Sequence, residues 1–144
     1  MLQEQSTLPV KNAKRMAEYV RLFADAIQRA GAEMVLYMTW ARQNAPESQA
    51  VIAGAYKSIG EELGAIVVPV GLAWQQFLAR YDEPNLHDRD QSHPTFAGSY
   101  LAACVFLAAL LKVSPVGIQS GSAALEPSHV LALQRVAWST GRSR

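Results

Sequence analysis

Residues 34–69, MVLYMTWARQNAPESQAVIAGAYKSIGEELGAIVVP, decide the fold. The stretch opens on the apolar run Met34-Val35-Leu36-Tyr37-Met38 and closes on Ala65-Ile66-Val67-Val68-Pro69. Runs this short and this uniformly apolar suit strands that helices cover on both faces. Between them a helix is expected from about Pro46, at a favoured first-turn position, through Ala50, Ile52, Tyr56, Ile59 and Leu63 to Gly64. A helical crossover carries the chain back before the next strand begins, so the two strands run parallel. The fold class is α/β with a parallel sheet.

Toward the N-terminus the same unit repeats. Met1 and Leu2 run straight into Gln3-Glu4-Gln5-Ser6, so the first strand is expected to be short, as if the chain began inside an element. Leu8-Pro9-Val10 suggests a loop. Asn12 is then the expected N-cap of a helix with Met16, Tyr19, Val20, Phe23, Ile27 and Ala30 at helical spacing, stopped by Gly31. Toward the C-terminus a shorter helix, Leu72 to Tyr81, carries Trp74, Phe77 and Leu78. The chain's densest charge follows in the loop His87-Asp88-Arg89-Asp90-Gln91-Ser92-His93. The helix from Thr95 to Lys112 is apolar almost all round and should be buried against the sheet or another subunit. Residues 113–126 form a loop, 127–138 a last helix, and the end from Gly141 is expected to fray.

Composition sets the limits. The 144 residues suit one domain, and 50% apolar with 17% charged residues is a globular mix. A net charge of +1 without a basic run speaks against a nucleic-acid partner. One cysteine excludes an internal disulfide, and no paired Cys/His spacing suggests structural zinc. The longest apolar stretch, Tyr100 to Leu111, falls short of the ~20 residues of a membrane span, and no signal peptide opens the sequence. A soluble chain is expected, its compartment open. No glycine-rich phosphate loop follows a strand, which weighs against a nucleotide-binding module of flavodoxin-like type.

In open parallel sheets ligands collect beyond the carboxyl ends of the strands. Four segments are expected there: Gln3 to Ser6, Thr39 to Arg42, Val70 with Gly71, and part of the loop from Asp82 to His93. Asp90 and His93 stand three positions apart just before a helix, a spacing that lets the carboxylate lie beside the ring. A carboxylate on one imidazole nitrogen fixes the tautomer and leaves the other nitrogen as a general base.

The stretch Asp90-Gln91-Ser92-His93-Pro94-Thr95-Phe96-Ala97-Gly98-Ser99-Tyr100-Leu101-Ala102 resembles the last conserved block of the SGNH (GDSL-type) hydrolases, in which an Asp-x-x-His pair precedes the C-terminal helix. The resemblance extends to the order of elements over Met1 to Leu111. It implies a flavodoxin-like three-layer α/β/α fold and hydrolysis of carboxylic or carbohydrate acyl esters, with His93 as base, Asp90 as orienting acid and no cofactor. The family's nucleophile is a serine in a Gly-Asp-Ser block after its first strand, and this sequence has no Gly-Asp-Ser. A glycine of the family's second block would also fall before Met1. Where the family has an oxyanion-stabilising Asn, this chain offers Gln3 or Gln5. The resemblance therefore implies an N-terminally truncated, partial domain over 1–144, weakly active or inactive by itself.

Blander readings stand beside these. Ser6 or Ser92 could stand in for the nucleophile, although Ser92 is better placed to cap the next helix. His87, Asp88, Asp90 and His93 could chelate, but clustered loop charges are ordinarily solvated, and no metal is assigned. Trp40 and Arg42 are cleft candidates whose default roles are core packing and a surface ion pair. Lys57, Glu61 and Glu62 form an exposed helix face with partners along the helix. His129 is expected at the surface and Cys104 as a buried, inert thiol. The alternative to an ester hydrolase acting on a small-molecule substrate is a non-catalytic α/β remnant that serves as a folding or oligomerisation unit. Loss of the first strands leaves an open strand edge, so a homo-oligomer is expected through that edge or through the apolar helix.

Overall fold

Side-chain alternation along three short strands divides the interior into two cores. The computed structural model describes residues 1–119, 121 and 124–142. The elements are β1 (Leu2–Gln3), α1 (Thr7–Arg29), β2 (Val35–Tyr37), α2 (Ser48–Leu63), β3 (Ile66–Val68), α3 (Val70–Leu78), α4 (Phe96–Leu111) and α5 (Pro127–Gly141). The strands lie in the order β1-β2-β3, all parallel, with Leu2 opposite Leu36 and Leu36 opposite Val67. Those three residues pack with Met16 and Val20 of α1 and Ile52, Tyr56 and Ile59 of α2. Val35, Tyr37 and Val68 point the other way and join Trp74, Phe77, Leu101, Val105, Leu133 and Val136 from α3, α4 and α5. The expected α/β class with a parallel sheet is what the chain adopts.

The helices depart from expectation at their ends. Helix α1 begins at Thr7, so Leu8-Pro9-Val10 is a helical turn and not a loop. Proline is tolerated there because a first-turn N–H would have no partner inside the helix. Asn12 then breaks the helix with φ −159° and ψ 74°. Its Oδ1 accepts the N–H of Arg15 at 2.9 Å, so it caps the longer second segment. Only Met16 and Val20 of the expected stripe are fully buried; Tyr19 and Phe23 are 40% and 56% exposed, beside Leu22 at 70%. Gly31 and Gly64 stop α1 and α2 in left-handed conformations, φ +65° and +63°. Helix α2 buries Gln49, Ile52, Ala53, Tyr56, Ile59 and Gly60, a face rotated one position from Ala50, which is exposed. Glu62 does not pair along its own helix but takes Arg21 of α1 at 2.5 and 2.8 Å.

Helix α4 finds its partners within the chain, packing against α5, α3 and β3, so no second subunit is needed to bury it. Helix α5 continues past Trp138, and Gly141 is not frayed but buried: a Cβ there would come within 2.7 Å of the Ala108 Cβ. Ser143 and Arg144, the rest of the expected frayed end, lie outside the described residues. Helix α4 starts beside another close approach. A Cβ on Gly98 would come within 2.6 Å of both the Leu86 carbonyl oxygen and the Trp74 ring. Gly98→Ala is therefore expected to destabilise by about 1–3 kcal/mol through overpacking. Gly54→Ala, on the open face of α2 with nothing within 4 Å of the added methyl, is expected to stabilise by about 0.4–1 kcal/mol. Urea unfolding of both variants checks the contrast.

Candidate functional site

Two loops meet at the carboxyl end of β2. The loop after the strand is held from beneath by Gln49, whose Oε1 accepts the Ala41 N–H at 2.7 Å and whose Nε2 donates to the Thr39 carbonyl at 3.4 Å. Helix α3 can press against this loop because position 71 is glycine; a Cβ there would lie 2.1 Å from the Thr39 carbonyl oxygen. The second loop, between Leu86 and Thr95, is joined to the first by three hydrogen bonds. The Trp40 indole N–H donates to the Ser92 carbonyl at 2.9 Å, and the Gln43 N–H to the Gln91 carbonyl at 2.9 Å. The buried His87 donates from Nε2 to the Ala41 carbonyl at 3.0 Å. The loop closes on itself through Asp88 N–H to the His93 carbonyl, 2.8 Å, and Thr95 N–H to the Leu86 carbonyl, 2.9 Å.

Within this frame Asp90 is the organiser. Its Oδ1 accepts the backbone N–H groups of Ser92 at 3.0 Å and His93 at 2.9 Å, while Oδ2 takes the His93 Nδ1–H. Gln91, at φ +61°, makes the tight turn that lets one carboxylate reach all three donors. The carboxyl group is held well below the usual carboxylate range, first by the imidazole and then by the two backbone N–H groups. The imidazole side chain is 80% exposed. Its Nε2 has no hydrogen-bond partner among the described residues, and the bond at Nδ1 fixes its tautomer.

Aromatic groups support the loop from below. Trp40 stacks on Trp74 at 4.0 Å between ring centroids and 5° between planes, and His87 meets Trp74 edge-on at 4.7 Å. Trp40 thus packs as its default reading had it and also holds the dyad loop. Arg42 corrects its default reading: it is exposed and makes no ion pair among the described residues. Gln3 and Gln5 lie at the carboxyl end of β1. Among the described residues neither has a hydrogen bond to His93, and Gln5 turns its Oε1 to the Thr7 N–H at 2.9 Å. Ser92 does not cap α4; Thr95 does, accepting the Gly98 N–H at 3.2 Å. Neither Ser6 nor Ser92 bonds the imidazole. His87 is spent on Ala41, and among the described residues no group of three His, Cys, Asp or Glu side chains is placed to hold a metal. Burial pushes the Cys104 thiol up, as suits an inert group.

Of the supporting residues, Gln49 went unnamed in the sequence reading, while His87 entered it only as a possible chelator and Trp74 only as an apolar helix position. Gln49 had a signal: it sits on the i, i+3, i+4 face with Ile52, Ala53 and Tyr56, where a polar residue needs a partner. The largest cleft, about 930 Å³, follows the free edge of β3 past Ile66, Lys57 and Lys112 and includes neither dyad residue. A smaller one, about 280 Å³, lies against Trp40, Arg42 and His87.

The chain is similar in structure to a crystal structure, at 1.50 Å resolution, of a DUF4886 family protein from Bacteroides uniformis ATCC 8492, with a TM-score of 0.77 and 21% identity. The match covers 95% of this chain and 60% of that one, so this chain spans about three fifths of that protein's length. At this identity the likeness concerns the fold. No family model matches the chain, and no curated protein does. No helix among the described residues is long and apolar enough to cross a membrane.

Because the folded Asp90 carboxyl ionises more readily than an unfolded one, its contribution to loop order is complete above the unfolded value of about 4 and is lost as pH falls through the lower folded value. Amide exchange at Ser92 and His93 is expected to accelerate, relative to intrinsic rates, on acidification below about pH 4. Asp90→Asn should remove that acid dependence, and NMR-detected exchange across the titration measures both.

Proposed function

We propose that this chain is the carboxyl-terminal portion of an SGNH (GDSL-type) ester hydrolase, a flavodoxin-like three-layer α/β/α domain, with His93 as general base and Asp90 as its orienting acid. The observation that carries this reading is the Asp90 carboxylate on His93 Nδ1, with Nε2 unpartnered and the loop tied to the carboxyl end of β2. In the proposed reaction Nε2 takes the proton of a serine hydroxyl as its oxygen attacks the ester carbonyl. It returns that proton to the departing alkoxide, and Asp90 stabilises the imidazolium in between. The acyl-enzyme is then hydrolysed by water activated at the same nitrogen. The route uses no cofactor.

The serine is assigned to a segment preceding Met1 in the full-length protein, because no hydroxyl of the described residues bonds His93. Three observations support that assignment. The matched structure is longer than this chain, which covers 60% of it. The outer edge of β1 meets no strand among the described residues. Tyr19, Leu22 and Phe23, on the helix that follows β1, are left partly or largely exposed. Without the serine the chain is a poor esterase, and its open β1 edge is the proposed route to self-association. The substrate class is a carboxylic or carbohydrate acyl ester.

The test uses the full-length gene product. A fluorophosphonate is expected to label one serine located after an upstream strand, and His93→Ala should slow short-chain aryl ester hydrolysis by about 10²–10⁴-fold. Equal rates with and without His93, or a full-length protein in which no serine reacts, would overturn the proposal.

A further inference from the structure

The cleft beside the dyad loop has features that the proton-transfer chemistry does not use. It lies between the loop after β2 and helix α3, with Trp40, Arg42 and Gln43 on one side, Gln75 and Leu78 on the other, and the stacked Trp74 in its wall. Its volume of about 280 Å³ falls at the lower limit of small-molecule sites, roughly 300 Å³, so it suits a single ring and not a long acyl chain. No aspartate or glutamate lines it, and Arg42 is its one formal cation. That guanidinium has no carboxylate partner among the described residues. The floor is fixed, because Gln49 is spent on Ala41 and Thr39 and His87 on Ala41. An aromatic wall offers a ring a flat apolar partner, and an unpaired guanidinium offers a carboxylate two parallel donors.

We infer that this cleft binds a small ring bearing one carboxylate, the ring against the partly exposed Trp40, which the buried Trp74 backs, and the carboxylate on Arg42. Two side chains that line the cleft, Trp40 and His87, tie it to the dyad loop. Trp40, which lines the cleft, donates its indole N–H to the carbonyl of Ser92, the residue before His93. A ligand seated in the cleft therefore restrains the group that positions the base. On the proposed hydrolase reading the ring acid is the non-reacting portion of the ester, and Arg42 selects anionic substrates over neutral ones; the binding itself does not depend on that reading.

The experiment uses the chain as it is, with benzoate and glucuronate as probes and benzamide as the uncharged control, followed by ¹⁵N–¹H NMR of the three tryptophan indole groups. The Trp40 signal is assigned with Trp40→Phe. Benzoate or glucuronate is expected to shift that signal saturably, and the responding acid tells an aromatic ring from a sugar ring. Arg42→Gln, a change at an exposed side chain, should weaken the acid by about two- to fivefold and leave any benzamide response unchanged. Absence of a saturable Trp40 shift with both acids, or equal affinity in wild type and Arg42→Gln, overturns the inference. Failure of the hydrolase reading is seen separately, in serine labelling and in the His93→Ala rate, neither of which enters this titration.

Discussion

One exposed carboxylate fixes the chemistry of this molecule. Asp90 accepts three N–H groups, two from the backbone of Ser92 and His93 and one from the His93 ring. The backbone bonds shape the turn and the ring bond sets the tautomer, so loop conformation and proton chemistry share one acceptor. An imidazole this exposed would otherwise sample several rotamers. Here the carboxylate supplies the order that packing supplies elsewhere, and it leaves Nε2 without a partner among the described residues.

That arrangement is only as precise as the framework beneath it, and the framework is built from polar groups with fully committed roles. Gln49 spans the loop after β2 from a buried position on α2, and removing its amide would leave the Ala41 N–H without its acceptor. His87 and Trp40 tie the dyad loop to the same segment from opposite ends. Two glycines permit the closeness: Gly71 lets α3 reach the Thr39 carbonyl, and Gly98 lets α4 start against Leu86 and Trp74.

Much of this was legible because its signals are local. The apolar runs at 34–38 and 65–69 mark strands, the intervening helical length makes them parallel, and Asp90 and His93 are near neighbours in sequence. What escaped depends on contacts between distant residues. Gln49 looks like a surface residue until the buried face of α2 is known to run through it and not through Ala50. Pro9 reads as a loop until the chain is seen to turn helically before Asn12 and break there. Gly141 looks like a fraying end, yet α5 needs its missing side chain to approach Ala108. Gln3 and Gln5 stand at the carboxyl end of β1 where the resemblance asks for an Asn, and there Gln5 Oε1 accepts the Thr7 N–H in the first turn of α1, a local bond the sequence does not announce.

The strand order carries one more consequence. In doubly wound sheets the ligand crevice forms where the strand order reverses, because there adjacent crossovers leave to opposite faces and the loops part. Here β1, β2 and β3 advance in one direction, and the two intervening helices lie together over one face. No reversal occurs among them. Among the described residues the outer edges of both β1 and β3 meet no further strand, and Leu22 and Phe23 of the helix after β1 are largely exposed. On the proposed function, a nucleophile carried by strands added at the β1 edge would approach the dyad across the tip of β1, with His93 already held by Asp90. On that same proposal, the added strands and their helix would also cover Tyr19, Leu22 and Phe23, which the helix after β1 leaves exposed.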